Sequence, residues 1–521
     1  MKIIGGVLNI IIRIRTNKIY NIMKTSIIHK ILAAMIFAAV SVHAMALQIV
    51  VDGIYYEVHD DKLEMTENPD KYSGVVIVPS TVVYEGITYT VTQIDIKAFR
   101  DCTGLFSIGI SSTVNDIDPL TFSGCESLEE IYVDPDNTTY ASYDRALYTK
   151  DLTTIIRCPA TITGVYEIAP EATTIGYHAF SDCKMLTDII LPETVNNIGR
   201  YAFENCSSLT KIHLPDAITT IKEYTFSGCS SLADINIPNS LTSIETRAFS
   251  DCAIKEMNIP DRVTNIAVAA FHSCYKLEHI TLPSHLTEIP DAVLSGCKSL
   301  KEIDIPQNVT RIGDAAFGNC ESLKEVKIPE GAINLEMHIF RSCKSLITVN
   351  IPDGVTSIKR FCFSGCSSLP TITLPNSVTE ICDIAFRSCT SLQSITIPEN
   401  VETIGSQAFS GCDTLNDITC MSRIPPAIAG NTFTHYRTLH VPAGSEQLYA
   451  MAEGWKNFNI VGDAPAHDGI NDIEAGTEQP QAPAQYYGID GKRLTTASPK
   501  GITIVKTGDG KTKKITSGKR Q

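Results

Sequence analysis

Residues 300–323 read LKEIDIPQNVTRIGDAAFGNCESL, and this stretch contains every part of a pattern that recurs along the chain. The alternation of Ile303 and Ile305 predicts a short strand, because every second side chain of a strand lies on the same face. Pro306 then ends the strand and turns the chain. A second apolar pair follows, and the closing Ala-Phe-x-x-Cys segment predicts a tight helical turn whose Phe points inward.

The repeat is clearest in a ladder of thirteen cysteines. Their spacing is 23 residues, apart from one step of 22 and one gap of 58 between Cys125 and Cys183. A Phe precedes each of these cysteines by three residues, and Leu294 is the sole substitute. The ladder consists of Cys102, Cys125, Cys183, Cys206, Cys229, Cys252, Cys274, Cys297, Cys320, Cys343, Cys366, Cys389 and Cys412.

A single unit of this length cannot bury its own apolar side chains, whereas stacked units can. Stacking would place neighbouring strands ~4.8 Å apart in one parallel sheet. Thirteen such strands would give an array about 60 Å long in the stacking direction. The sequence therefore predicts a repeat solenoid.

The pattern LxxIxIPxxVTxIGxxAFxxCxxL resembles the BspA-like, Treponema-type leucine-rich repeat. The resemblance implies an α/β-type solenoid of 23-residue units with a parallel concave sheet, N- and C-terminal caps and a small β tail. It implies a β cap over residues 47–93, repeats over 94–417 and a second cap over 418–463. The gap in the cysteine ladder is expected to hold a hairpin insertion at about 134–170. Caps are also required physically, because the terminal units of an array expose an apolar end.

The first 46 residues predict a leader for export. Met23 opens a basic stretch, the apolar run 31–42 follows, and small-x-small cleavage sites end at Ala44 and Ala46. This order is typical of a signal peptide, here over 23–46. Residues 1–22 are interpreted as the result of an upstream start codon chosen in error. A long or membrane-retained leader is the alternative.

The C-terminal end differs in composition from the repeats. Residues 464–485 are rich in Ala, Pro, Gln, Gly and Glu, which predicts a linker. Residues 486–521 contain two short alternating segments separated by turn residues, which predicts a small β module. The motifs Tyr486–Leu494 and Pro499–Lys506 resemble the C-terminal sorting tails of Bacteroidetes secreted proteins that the type IX machinery reads. The resemblance implies a Gram-negative source and delivery to the outer surface or release, and a generic basic extension is the alternative.

Charge is divided between the ends and the body of the chain. Outside the basic segments 1–44 and 486–521, the chain contains 28 Lys and Arg residues and 56 Asp and Glu residues. The body therefore carries a net charge near −28. Such a body repels nucleic acid and anionic lipid, and it has no basic stripe that could bind either.

The cysteines of an exported chain could form disulfides or bind a metal ion. A residue that recurs once per unit points the same way each time, so these thiols are expected to stack in the core as small apolar side chains. Parallel side chains have the wrong orientation for a disulfide. The chain has no Cys-x-x-Cys pair and no other zinc spacing, so no metal site and no cofactor are expected.

The strand pattern assigns two rows of side chains to the concave face. If the two Ile of each strand point inward, the residue before the first and the residue between them point outward. The first row of candidate binding residues is Glu130, Asp188, Lys211, Asp234, Glu256, His279, Glu302, Glu325, Thr348 and Thr371. The second row is His213, Asn236, Asn258, Asp304, Lys327, Asn350 and Thr373.

These rows have an acidic zone followed by a Thr and Asn zone. The acidic zone could bind a basic protein segment or a cation, and its alternative is the solvated face of an acidic protein. The Thr and Asn zone could contact a glycan, although few aromatic side chains are available to stack on a sugar. Phe106 and Tyr132 in the first units could form an apolar patch, but packing under the N-terminal cap is the favoured interpretation.

No enzyme motif is present: the chain has no His-Glu-x-x-His, no Gly-x-Ser-x-Gly and no dinucleotide fingerprint. The chain is therefore expected not to be an enzyme. The resemblance implies a cell-surface protein that recognises a protein ligand, in adhesion to host matrix or to other microbes. A structural surface or matrix component and a glycan-binding accessory protein are the alternatives. Neither a nucleic-acid partner nor a membrane span in the mature chain is expected.

Overall fold

The computed structural model describes residues 47–465 and, beyond them, four short strands between residues 485 and 517. The chain divides into two compact units at Pro465. The leader predicted over 1–46 lies outside the described residues, as does nearly all of the linker predicted over 464–485. The last four strands form an antiparallel sheet and are Gln485–Tyr487, Arg493–Leu494, Gly501–Lys506 and Thr512–Ser517.

The repeats form the predicted solenoid, and the strand of the Ile-x-Ile segment is present in most units. We call these strands the first-strand series. Neighbours pair in parallel and in register, so that Asp188 lies beside Lys211 and Lys211 beside Asp234. Residues 302–304 and 371–373 belong to the same series but lack regular strand pairing, so the ladder is interrupted there, as it also is between Asp234–Ile235 and Glu256–Asn258. The strands are Leu105–Ile110, Glu130–Val133, Leu186–Ile190, Lys211–Ile212, Asp234–Ile235, Glu256–Asn258, His279–Thr281, Glu325–Val326, Thr348–Val349, Ser394–Ile397 and Asp417–Cys420.

The second apolar pair of each unit also forms a strand, which the sequence pattern does not predict because only two residues take part. These strands stack in parallel as a second series, with Thr174 beside Asn197 and Ile175 beside Ile198. The second series consists of Asp116–Ile117, Thr174–Ile175, Asn197–Ile198, Thr220–Ile221, Ser243–Ile244, Asn265–Ile266, Glu288–Ile289, Arg311–Ile312, Asn334–Leu335, Ser357–Ile358, Glu380–Ile381, Thr403–Ile404 and Ala427–Ile428.

The Ala-Phe-x-x-Cys segment is a succession of turns rather than the helix of an α/β-type repeat. Cys206 N–H donates to the carbonyl of Phe203 at 3.1 Å, and Leu209 N–H donates to that of Cys206 at 3.0 Å. Tyr201 and Asn205 have φ angles of 58° and 59°. A left-handed residue on either side of Phe203 prevents a right-handed helix from continuing. The only α-helix among the described residues is Glu446–Met451, and 3-10 helices lie at Pro119–Phe122 and Trp455–Asn457.

The core contains stacked copies of the Phe and Cys of the repeat units. Phe180 and Phe203 stack with ring centroids 5.2 Å apart, and Phe203 and Phe226 follow at 5.4 Å. The Sγ of Cys206 donates to the carbonyl of Phe180 in the preceding unit at 3.1 Å, and this contact recurs along the ladder. All seventeen thiols are free, and only Cys382 is not fully buried. The prediction that the ladder cysteines are core thiols is confirmed.

The gap in the ladder contains an antiparallel hairpin of Tyr140–Tyr143 and Ala146–Thr149. Its second strand pairs with Thr154–Arg157, which joins the second series by pairing in parallel with Thr174–Ile175. Gly164–Glu167 then pairs in parallel with Leu186–Ile190 and continues the first series. The insertion therefore rejoins both series before the regular units resume.

Residues before and after the repeats extend both strand series. Gly74–Val78 pairs in parallel with Leu105–Ile110, and Ile87–Ile94 pairs in parallel with Asp116–Ile117. The remaining N-terminal strands are Leu47–Val51, Ile54–His59, Lys62–Met65 and Thr81–Tyr84. At the other end, Thr438–Pro442 and Asn459–Ala464 continue the first series beyond Asp417–Cys420.

Candidate binding face

The outward side chains of the first-strand series lie on successive units, and we call the surface that they form the first-strand face. Of the seventeen candidate residues, fourteen are exposed, and Asp188, Asn236 and Asn350 are half-buried. The pairing register brings successive row members side by side, as for Glu256 with His279 and Glu325 with Thr348. The structure thus assembles the rows that the strand pattern predicts.

Two asparagines of the second row are engaged in holding the units together. Asn236 Oδ1 accepts from the backbone N–H of Leu214 at 2.6 Å, and its Nδ2 donates to the carbonyl of the same residue at 2.8 Å. Asn350 makes the same pair of bonds with Ile328, at 2.7 and 2.9 Å. Their amides therefore replace strand hydrogen bonds, and they are poor candidates for contact with a ligand.

Two basic side chains of the face lie beside carboxylates of the acidic zone. Lys211 Nζ lies 3.1 Å from Asp188 Oδ2, and His279 Nδ1 lies 3.4 Å from Glu302 Oε1. Asp234 and Glu256 make no ion pair shorter than 4.0 Å with any residue of the described range. These two carboxylates are therefore available to a cationic partner, as are the exposed carboxylates of Glu130, Asp304 and Glu325.

A depression of about 620 Å³ lies where the first-strand ladder is interrupted. Its charged lining consists of Lys301, Glu302, Asp304, Lys324, Glu325 and Lys327. Three cations and three carboxylates alternate in this lining, so the depression is close to neutral. The arrangement does not favour a cation at this part of the face.

An apolar patch lies at the N-terminal end of the first-strand face, which was the alternative to packing under the N-terminal cap. Val75, Ile77, Phe106 and Tyr132 are exposed to 68%, 69%, 52% and 50%, and we call these four residues the N-terminal apolar patch. Gly109 lies between Ile77 and Tyr132 on adjacent strands, and its missing side chain leaves a notch between them.

The expectation that Phe106 and Tyr132 pack under a cap is therefore wrong. The preceding strand Gly74–Val78 joins the edge of the sheet instead of folding across its face, so the outward side chains stay uncovered. A sequence signal existed, because residues 76–79 read Val-Ile-Val-Pro and match the strand-and-Pro pattern of the repeats.

One group of side chains in the described range has the composition of a metal site. Glu57, His59 and Glu64 place their ligand atoms within 4.8 Å of one another. His59 Nε2 lies 3.2 Å from Glu64 Oε2, and this hydrogen-bonded contact accounts for their proximity without an ion. The sequence could not indicate the group, because Glu57 and Glu64 become neighbours only when their strands pair.

Burial suppresses ionisation of two thiols in the middle of the ladder. It raises the pKa of Cys274 and of Cys343 to about 12, so both remain protonated at neutral pH. A thiolate is the form of cysteine that attacks substrates and binds metals. The thiols of Cys274 and Cys343 are therefore poor nucleophiles and poor metal ligands.

The comparison with protein families is decisive for identity. The model of the BspA type leucine-rich repeat region matches overlapping segments that together run from residue 85 to residue 441. The chain belongs to the BspA-type leucine-rich repeat family. The resemblance inferred from the repeat pattern is thereby confirmed.

Solved structures of related repeat proteins include a leucine-rich cell surface protein of Faecalibacterium prausnitzii. It is 26% identical, with 73% of this chain and 96% of that chain covered and a TM-score of 0.48. A leucine-rich repeat protein of Bacteroides ovatus is 25% identical, covering 71% of this chain and 94% of that chain with a TM-score of 0.30. The pneumococcal vaccine antigen PcpA is 16% identical, covering 81% and 99%, with a TM-score of 0.45.

A search of the curated proteins finds no match. Within residues 47–465 and the strands that follow them, no helix has the length and apolar character needed to cross a bilayer.

Proposed function

We propose that this BspA-type protein is a cell-surface protein that recognises a protein partner through its first-strand face, in adhesion to host matrix or to other microbes. The observation that carries the proposal is the N-terminal apolar patch. Large apolar side chains that remain exposed side by side typically mark an interaction surface. Aromatic residues such as Phe106 and Tyr132 are also the type that dominates protein interfaces.

The geometry of the patch suits a protein segment with apolar side chains. A Cβ atom at Gly109 would lie 3.5 Å from Ile77 Cγ1, so glycine at this position keeps the notch open. Glu129 and Glu130 are exposed beside Tyr132, and Asp234 and Glu256 lie further along the same face. A partner with Lys or Arg beside its apolar residues would complement both features.

The first test replaces the two aromatic side chains. We expect the double variant Phe106→Ala, Tyr132→Ala to bind an immobilised partner at least about 30-fold more weakly, as for truncated interface hot spots. Binding of the exported chain to matrix proteins and to surface proteins of other microbes would be measured by surface plasmon resonance. The matched control is Ile424→Ala, Leu448→Ala, because these side chains are exposed to 71% and 53% outside the patch. Equal loss in both variants would contradict the proposal.

A second test addresses Asp234 and Glu256, two carboxylates of the face that make no ion pair within the described range. We expect Asp234→Lys, Glu256→Lys to weaken binding and to reduce its dependence on salt, because the long-range attraction of a basic partner is screened by ions. Glu330→Lys, Asp353→Lys makes the same change of charge at exposed turns and serves as control. Self-association that ignores both pairs would favour a structural component, and sensitivity to Thr348, Thr371 and Thr373 alone would favour a glycan ligand.

We further propose export to the outer surface of a Gram-negative bacterium, directed by a signal peptide over 23–46 and a sorting tail over 486–521. Deletion of 486–521 is expected to leave the protein in the periplasm, whereas unchanged surface display would reject the tail's role. Sequencing the N-terminus of the exported protein tests cleavage after Ala44 or Ala46.

We also propose that the chain has no catalytic activity. Repeat solenoids provide extended surfaces for binding, and burial raises the pKa of the Cys274 and Cys343 thiols to about 12.

A further inference from the structure

The hairpin insertion separates two turns that would otherwise be neighbours. Gly124 and Asp182 hold the same place in their units, directly before Cys125 and Cys183. In regular units these turns are joined directly, as where Asp182 N–H donates to the carbonyl of Glu204 at 2.8 Å. Between Gly124 and Asp182 there is instead a pocket of about 330 Å³.

Arg157, the last residue of the strand Thr154–Arg157, also lines this pocket. Its side chain is only 2% exposed. One guanidinium nitrogen, Nη1, donates to the carbonyl of His178 at 2.7 Å, whereas Nε has no hydrogen-bond partner. No carboxylate of the described residues lies within 4.0 Å of the guanidinium, so the charge has no counter-ion.

Burial without a counter-ion is unfavourable for an arginine in particular. A guanidinium cannot lose its proton in a protein, so it remains charged wherever it is buried. A buried charge is normally paired and fully hydrogen-bonded. The nearby imidazole adds no second charge, because burial, and then the charge of Arg157, lowers the pKa of His178 to about 4.

Three other charged side chains line the pocket, namely Glu126, Asp182 and Lys184. Lys184 Nζ lies 3.7 Å from Glu126 Oε1 at the exposed rim. The carboxylate of Asp182 accepts a hydrogen bond from Asn205 Nδ2 at 3.1 Å. Among the described residues, Asp182 thus has a neutral donor but no counter-ion, and Arg157 is the buried cation of the pocket that lacks both a counter-ion and a partner for its Nε.

We propose that this pocket binds a small oxyanion, with Arg157 as its principal donor. Guanidinium groups match the geometry of oxyanions, both carboxylates and tetrahedral anions such as phosphate. The site lies on the turns that flank the insertion and not on the first-strand face. It is thus independent of the proposed protein partner and goes beyond it.

The test uses the full chain and three sodium salts, namely phosphate, sulfate and acetate, each compared with sodium chloride at equal ionic strength. We expect at least one anion to bind saturably in calorimetry and to raise the melting temperature by about 2 °C or more, because a ligand of the folded state alone stabilises it. A response to phosphate and sulfate indicates a tetrahedral ligand, and a response to acetate alone indicates a carboxylate.

The variant Arg157→Gln is expected to lose the response, with affinity at least about tenfold weaker. Arg387→Gln is the matched control, because it makes the same change of charge on an exposed turn of another unit and should keep the wild-type response. If Arg157→Gln fails to fold, titration of the wild-type chain still shows whether an anion binds. Absence of saturable binding by all three anions, or an equal response in Arg157→Gln, would overturn the proposal.

Discussion

At the scale of single residues, the ladder cysteines couple stability to pH. Burial raises the pKa of Cys274 and Cys343 to about 12, and it also raises the pKa of Cys297 and Cys320. In the unfolded chain a cysteine has a pKa of about 8.5. Below that value both states hold the proton, so the stability is fully present. As the pH rises above it, the unfolded chain releases protons that the folded chain keeps, and stability is lost.

We therefore expect the free energy of unfolding to fall above pH ~8.5, by about 1.4 kcal/mol per pH unit for each such thiol. Urea unfolding at pH 7.5, 8.5 and 9.5 measures the effect. Cys320→Ala is the control, since removing one of these thiols should make the decline shallower. An unchanged urea midpoint between pH 8.5 and 9.5 would show that the thiols are not protected.

At the scale of one repeat unit, Leu294 interrupts the Phe stack, and its neighbour compensates. The position before the Phe is Ala in the adjacent units, as in Ala270 and Ala316, but it is Val293 in this one. Both Val293 and Leu294 are buried. The larger Val beside the smaller Leu keeps the core volume of the unit close to that of Ala-Phe.

This pairing predicts strong coupling between two substitutions. Leu294→Phe alone overpacks the unit and should cost about 1–3 kcal/mol, and Val293→Ala alone leaves a cavity and should cost about 2 kcal/mol. The double variant should recover at least about 1 kcal/mol of the summed loss and regain stacking with the neighbouring rings. Chemical denaturation of the four proteins closes the cycle, and purely additive losses would refute compensation.

At the scale of the whole repeat array, the apolar core is not continuous. One cluster of buried side chains extends from Ile49 to Tyr140 and includes Leu147. The other begins at Ala146 and extends to Phe458. The boundary falls at the hairpin insertion, which also holds Arg157. In a solenoid each unit contacts only its neighbours, so cooperativity can break at a weak junction.

We expect two unfolding transitions in urea. Trp455 is the single tryptophan and is buried in the second cluster, so its fluorescence should follow that block alone while circular dichroism follows both. The variant Trp455→Phe, Phe99→Trp moves the reporter to the first cluster and should follow the other transition. Coincident curves from both reporters and from circular dichroism would mean that the junction is fully cooperative.

The sequence by itself determined the period, the solenoid, the stacked Phe and Cys side chains of the core and the outward rows. These could be predicted because every unit has the same neighbours, so each requirement of the core is repeated thirteen times in the sequence. The second strand series was missed because two residues are too few to show a period.

Only the tertiary structure decided which surfaces remain uncovered and which polar groups remain unpaired. Phe106 and Tyr132 are exposed because the strand Gly74–Val78 joins the sheet edge. Arg157 has no counter-ion because the insertion holds the flanking turns apart. Such contacts occur once in the molecule and involve segments that do not repeat. They depend on how distant strands pair, and so they leave no periodic trace in the sequence.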